Sequence, residues 1–282
     1  MMEPILTVYN LDGTLLNYQT LLRQCPHQVI DCTDIKGKNL YCAPNAFEEI
    51  KRRLLSAKKT PAALIGSGNY HYVTYLHLSR IDHPFTLILF DHHTDLMENH
   101  DLLTCGSWLC QALRTIPNLK RAVIIGPDPK DLDKIPLDLQ EKVTIFPENW
   151  SAKKIIHAFY SICDTDSIYI SIDKDVLNED DAKTNWDQGH MALNTILNCL
   201  NAWQILSWDG LDLCGEWPDS SFSRTSVQAA HLNEKANLAI LEASGLAKLT
   251  SKKRLRQICG CIAAKKSTVT SNWGLKHINA KS

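Results

Sequence analysis

The sequence predicts an α/β fold in which a mainly parallel sheet is covered by helices on both faces. Two observations predict it. Short, mostly apolar runs such as FTLILF recur along the chain, and longer segments with helical periodicity alternate with them. A composition of 44% apolar and 22% charged residues adds enough material for a sizeable core and carries no signature of disorder.

In chain order, a helix is predicted from Ala46 to Ala57, then a strand from Ala62 to Ser67 and a helix from Tyr72 to Leu78. Phe85 to Phe90 is a strand buried on both sides, because nothing in it alternates with polar residues. A helix from Gly106 to Thr115 and a strand from Arg121 to Gly126 follow. Pro127, Pro129 and Pro136 then mark a loop rather than a domain linker. The remaining pattern is a strand from Val143 to Phe146, a helix from Lys153 to Ser161 and a strand from Ser167 to Ile172. It ends with a helix from Ala192 to Leu200, a strand from Ile205 to Leu213 and a helix from Val227 to Leu246. No internal repeat or low-complexity stretch interrupts this order, so residues 1–282 are read as one domain with a basic C-terminal segment from about residue 248.

That segment carries Lys248, Lys252, Lys253, Arg254, Arg256, Lys265 and Lys266 without interleaved aromatics, and reads as a solvated face rather than a nucleic-acid patch. A net charge of -1 and a pI near 6.8 argue against a general polyanion binder. The opening MMEPILTVYN has no basic start followed by a long apolar stretch, and no apolar run approaches the ~18 residues of a membrane span. The expectation is a soluble, cytoplasmic protein without nucleic-acid or membrane partners. Its ten cysteines are scattered and read as small buried hydrophobes, and Cys259 and Cys261 lack the companions of a zinc site.

Chemistry gathers at the strand ends, where open α/β sheets bind ligands. FTLILF runs directly into Asp91-His92-His93-Thr94-Asp95, and side chains two apart in extended chain point the same way, so Asp91, His93 and Asp95 can converge. IYISI runs into Asp173-Lys174-Asp175 with the same spacing. Four aspartates at neighbouring strand ends repel, each close pair at a cost on the order of 1 to 4 kcal/mol, and a divalent cation offsets that repulsion directly. A third segment, Gly66-Ser67-Gly68-Asn69-Tyr70-His71, turns the chain sharply and offers His71 as a further ligand. Carboxylates and imidazoles without thiolate suit Mn²⁺ better than a zinc cage. Two bridging aspartates would hold two ions close together, a pair able to lower the pKa of a shared water. At the N-terminus, Asn10-Leu11-Asp12-Gly13-Thr14 mimics a phosphatase motif. Asn10 replaces the nucleophilic aspartate, so Asp12-Gly13 is read as a turn.

The segments IGSGNYH, LFDHHTD and SIDKDV resemble, in order, the three metal-binding signatures of the arginase and agmatinase (ureohydrolase) family, over roughly residues 60 to 220. The resemblance implies a three-layer α/β/α fold, two manganese ions per chain and hydrolysis of a guanidino or amidino C–N bond by metal-bound hydroxide. It implies one ion on His71, Asp91, Asp95 and Asp173 and the other on Asp91, His93, Asp173 and Asp175, with Asp91 and Asp173 as bridges. It also implies a small-molecule substrate and a homo-oligomer, with the basic C-terminal segment a candidate interface.

The chain departs from the family pattern at several places. GNYH stands where the family has GGDH, and Cys105 stands where a proton-shuttling His is usual, with His100 a candidate to take over that work. The family's guanidinium-reading acid falls in D-x-x-E-x-x-P. In Asp212-Leu213-Cys214-Gly215-Glu216-Trp217-Pro218 it is displaced by one, leaving Glu216 the candidate. Trp186, Asp187 and Gln188 lie where a substrate loop is usual and are candidates for a pocket wall. Two alternatives stay open: a deacetylase-like metal amidohydrolase, and a catalytically altered ligand-binding relative.

Overall fold

The computed structural model describes residues 3–98, 102–218 and 224–246. Its strands are β1 (Leu6–Asn10), β2 (His27–Asp31), β3 (Tyr41–Cys42), β4 (Ala62–Leu64), β5 (Phe85–Phe90), β6 (Leu103–Thr104), β7 (Leu119–Ile125), β8 (Val143–Phe146), β9 (Ser167–Asp173) and β10 (Ser207–Cys214). Its α-helices are α1 (Gln19–Gln24), α2 (Pro44–Ser56), α3 (Val73–Leu78), α4 (Trp108–Thr115), α5 (Ala152–Ile162), α6 (Leu193–Trp203) and α7 (Arg224–Ala243). Eight strands form one sheet in the order β2-β1-β4-β10-β9-β5-β7-β8, and every pairing in it is parallel. A separate antiparallel ribbon pairs Tyr41 with Thr104 and Cys42 with Leu103.

The pleat divides the core. Leu87 and Leu89 of β5 face one cluster with Ile50 of α2, Leu76 of α3 and Leu113 of α4, while Ile88 and Phe90 face the other with Phe159 of α5, Trp203 of α6 and Ile240 of α7. Alternate residues of one strand thus bury against opposite helical layers, which is why the strand carries no polar alternation. This is the three-layer α/β/α architecture.

Every predicted strand and helix is present; Phe85–Phe90 and Val143–Phe146 have the predicted ends and the others are shifted. The strand expected to reach Ser67 stops at Leu64 because Gly66 turns the chain at φ 107°. The Asp12-Gly13 turn forms as read, with the Gly13 N–H donating to Asn10 Oδ1 (3.1 Å) and the Thr14 N–H to Asp12 Oδ1 (3.0 Å). Sequence reading missed β1, β2, α1 and the β3–β6 ribbon. The basic segment beyond residue 248, Cys259, Cys261 and His100 lie outside the described residues. Among the described residues, no helix is long and apolar enough to cross a membrane.

Candidate metal centre and active-site cavity

The four adjacent central strands β4, β10, β9 and β5 bring the site together at their carboxyl ends. His71 ends the single 3-10 turn Gly68–Tyr70 that follows β4, Asp91 follows β5 at once, and Asp173 closes β9. His71 Nδ1 lies 3.2 Å from Asp91 Oδ2, 3.0 Å from Asp95 Oδ2 and 3.6 Å from Asp173 Oδ2. His93 Nδ1 lies 2.9 Å from Asp175 Oδ2 and 3.5 Å from Asp91 Oδ1. All six residues singled out in the sequence therefore meet at one place, and Asp91, Asp95, Asp173, Asp175 and His71 are buried.

Their surroundings set which atoms are free. Ser171 Oγ donates to Asp212 Oδ1 (2.6 Å), so it accepts from His71 Nε2–H (2.9 Å), and His71 Nδ1 is left facing the carboxylates. Tyr169 fixes Asp212 from its other side (2.8 Å). Trp108 Nε1–H donates to Asp95 Oδ2, and the His92 N–H donates to Asp175 Oδ1 (3.0 Å). Asp95 sits at φ 52°, a left-handed backbone that costs a non-glycine residue roughly 1–2 kcal/mol. Asp91 Oδ2 is buried with no hydrogen-bond partner.

Asp91 is shared by two ligand groups close enough to hold an ion, His71–Asp91–Asp95 and Asp91–His93–Asp175. Asp173 stands differently from the second bridge the resemblance implies. Its Oδ1 accepts the Asp175 N–H (3.0 Å), its Oδ2 accepts the Cys214 thiol (3.1 Å), and it groups with His71 and Cys214 instead. Cys214, Trp108, Ser171 and Asp212 escaped the sequence reading, because a side chain that supports a ligand carries no motif of its own.

The titration of these side chains reflects their crowding. Burial, then the charge of Asp91, pushes Asp95 up to about 6. Burial and the charges of Asp173 and Asp91 raise Asp175 well above the usual carboxylate range. Asp91 goes the other way, since the nearby imidazoles of His71 and His93 outweigh its burial. Several carboxylates forced toward the neutral form beside imidazoles is the state a divalent cation relieves.

A cavity of about 740 Å³ opens above these residues, lined also by Trp186 and Cys105. Trp186 Nε1–H donates to Asn69 Oδ1 (2.9 Å), and its ring packs edge-on to His93 at 5.6 Å. Asp187 faces His93 Nε2 (3.1 Å), whereas Gln188 turns into its own loop, donating to Leu177 O (3.0 Å). Burial, with the nearby Asp95 charge, pushes the Cys105 thiol up to about 12, so it is a neutral thiol near pH 7 and a poor proton carrier.

Glu216 is absent from the cavity wall. Gly215, at φ 80°, swings the chain so that Glu216 points into the core. There it is fully buried and takes donors from Lys174 Nζ, the Tyr18 hydroxyl and Asn237 Nδ2 (2.8 Å). As a reader of substrate guanidinium it is misplaced, because both carboxylate oxygens are already engaged.

A sequence model of the arginase family matches residues 7–238. The chain belongs to the arginase family. A Thermotoga maritima protein, itself described as uncharacterized, is 30% identical over 250 residues, covering 88% of this chain and 93% of its own length. A solved formimidoylglutamase from Bacillus subtilis superposes with a TM-score of 0.64 at 16% identity, covering 86% of this chain and 87% of its own. Proclavaminate amidino hydrolase from Streptomyces clavuligerus gives 0.63 at 14%, covering 88% and 94%. At such identities the two solved structures establish the arginase-family fold of the sheet and its helices.

Proposed function

We propose that this arginase-family chain is a two-metal hydrolase that cleaves a C–N bond of a small guanidino or amidino metabolite. One observation carries the reading: four carboxylates and two imidazoles from three strand ends crowd into contact, with Asp91 Oδ2 buried and unpartnered among them. The donor set, oxygen and nitrogen with a shared carboxylate, fits Mn²⁺. His71, Asp91 and Asp95, with Asp173 beside them, would hold one ion, and Asp91, His93 and Asp175 the other. Such ions lower the pKa of water and polarise the carbon under attack.

The protein's own part is to hold these groups in place. Ser171 and Asp212 fix the tautomer and tilt of His71, Trp108 holds Asp95, and the His92 amide holds Asp175. Asp187 faces the outer nitrogen of His93 and so aims Nδ1 inward. Cys105 keeps its proton on Sγ and contributes an uncharged wall.

A second reading, a single-zinc amidohydrolase, draws support from the seclusion of Glu216, since an amide substrate needs no guanidinium-reading carboxylate. Metal analysis separates the two. Purified protein dialysed against Mn²⁺ binds about two ions per chain and releases urea or an amine from guanidino substrates; one zinc per chain without such release favours the second. Uptake of no divalent ion by folded protein contradicts both.

A further inference from the structure

We infer that the substrate carries an apolar substituent on its C–N group, and that Leu40, Tyr41, Met97 and Trp186 form the subsite that receives it. The inference rests on the reading of the centre as a C–N hydrolase and names the substrate class for it. The cavity is continuous from the metal-ligating side chains out to these four residues. Tyr41 and Met97 expose 58% and 69% of their surface, a large apolar display at the mouth of a cavity that ends in carboxylates.

The charges around that mouth are already spent on one another. Glu98 accepts Arg114 (2.7 Å), and Asp131 accepts Lys134 (2.5 Å). Outside the metal-ligating set, these are the charged side chains among the described residues that line the cavity. An amino-acid substrate would have to draw Lys134, the lysine lining the cavity among the described residues, away from Asp131 to pair its carboxylate. With Glu216 secluded, the cavity wall offers no unpaired carboxylate outside the metal-ligating set among the described residues to read a remote ammonium. Hydrocarbon is what the wall solvates best.

The wall is also built rather than incidental. Leu40 sits at φ 65°, a strained backbone for a leucine, and is fixed there by the Cys105 N–H donating to its carbonyl (3.0 Å). Asn69 Nδ2 donates to Asn39 Oδ1 (2.9 Å) and the Tyr72 hydroxyl to Lys38 O (2.5 Å), which ties the segment before Tyr41 to the turn bearing His71. Asn69 also anchors Trp186, so one residue registers both sides of the subsite against the centre.

The test uses the full chain loaded with Mn²⁺, its metal content measured in the same samples. Guanidine, methyl-, butyl-, hexyl- and benzylguanidine are compared with agmatine and arginine for urea release, and calorimetry follows the heat capacity of binding. Each added methylene that enters the subsite raises kcat/KM or affinity about 3- to 4-fold and makes the heat capacity change more negative. Tyr41→Ser and Met97→Ser flatten that series. A flat series, or arginine turned over better than hexylguanidine, overturns the inference and leaves the hydrolase reading standing. If metal-loaded protein neither binds nor cleaves any member, guanidine included, the hydrolase reading fails and the inference falls with it.

Discussion

Replacing Lys174 by Met tests whether the Lys174–Glu216 pair is a structural strut of the candidate metal site. Both side chains are fully buried, and their ammonium and carboxylate are in contact. Lys174 also donates to Asn237 Oδ1 (3.1 Å), and Glu216 binds the Tyr18 hydroxyl, so the pair joins the Asp173–Asp175 turn to α7 and to the segment before α1. Removing the cation leaves a buried carboxylate without its counter-charge, which typically costs about 3–5 kcal/mol. For a chain of this size each kcal/mol moves Tm by roughly 2–4 °C, so Lys174→Met lowers Tm by about 10 °C. Glu216→Gln keeps acceptors and donors for Tyr18 and Asn237 while removing the charge. The double variant Lys174→Met/Glu216→Gln therefore recovers about 2 kcal/mol of the loss in denaturant unfolding. If the single variant stays within about 1 kcal/mol of the parent, or the double is no more stable than the single, the strut reasoning fails and Glu216 returns as a candidate substrate contact.

Three other substitutions probe the backbone and the acid limb. A Cβ on Gly215 would sit 2.3 Å from Asp173 Oδ1 and 2.6 Å from the Lys174 backbone nitrogen, whereas one on Gly13 meets nothing within 4 Å. Both glycines have positive φ, so Gly13→Ala costs roughly 1 kcal/mol of strain and still binds metal. Gly215→Ala costs more and loses metal stoichiometry; equal behaviour of the two variants by metal analysis would refute the steric argument. Burial, with Arg80 and Lys59 nearby, lowers His77 to about 3. The folded state refuses a proton that the unfolded chain accepts near pH 6.5, so stability is full above that pH and declines as pH falls toward 3, by at most about 1.4 kcal/mol per unit. Denaturant unfolding of metal-free His77→Gln between pH 6.5 and 4 should show a shallower decline than the parent, and parallel curves would contradict this.

What the sequence disclosed and what it withheld follow from the range over which each signal acts. Asp91, His93, Asp95, Asp173 and Asp175 were legible because ligand spacing and an unbroken apolar strand lie within a few residues of each other. His71 was legible only by association with them. β2 escaped because it is an edge strand whose residues are mostly exposed, so HQVID lacks the apolar run that marks the central strands. The β3–β6 ribbon escaped because two residues per strand carry no period at all. Glu216 was misread for a geometric reason: one residue with positive φ decides which way the next side chain faces, and spacing does not reveal that sign. The support given to His71 by Ser171 and Asp212 spans 100 and 41 residues of chain, beyond the reach of any local pattern.

The order of the strands has a consequence for how the centre comes into being. β5 and β9 lie side by side in the middle of the sheet, yet His93 and Asp175 are 82 residues apart in the chain. The candidate ion pocket is complete only once those two strands have met, so Asp91 and His93 gain Asp175 as a neighbour only in the folded sheet. A cation bound there would then stabilise the assembled sheet by mass action, tying the two strand ends together.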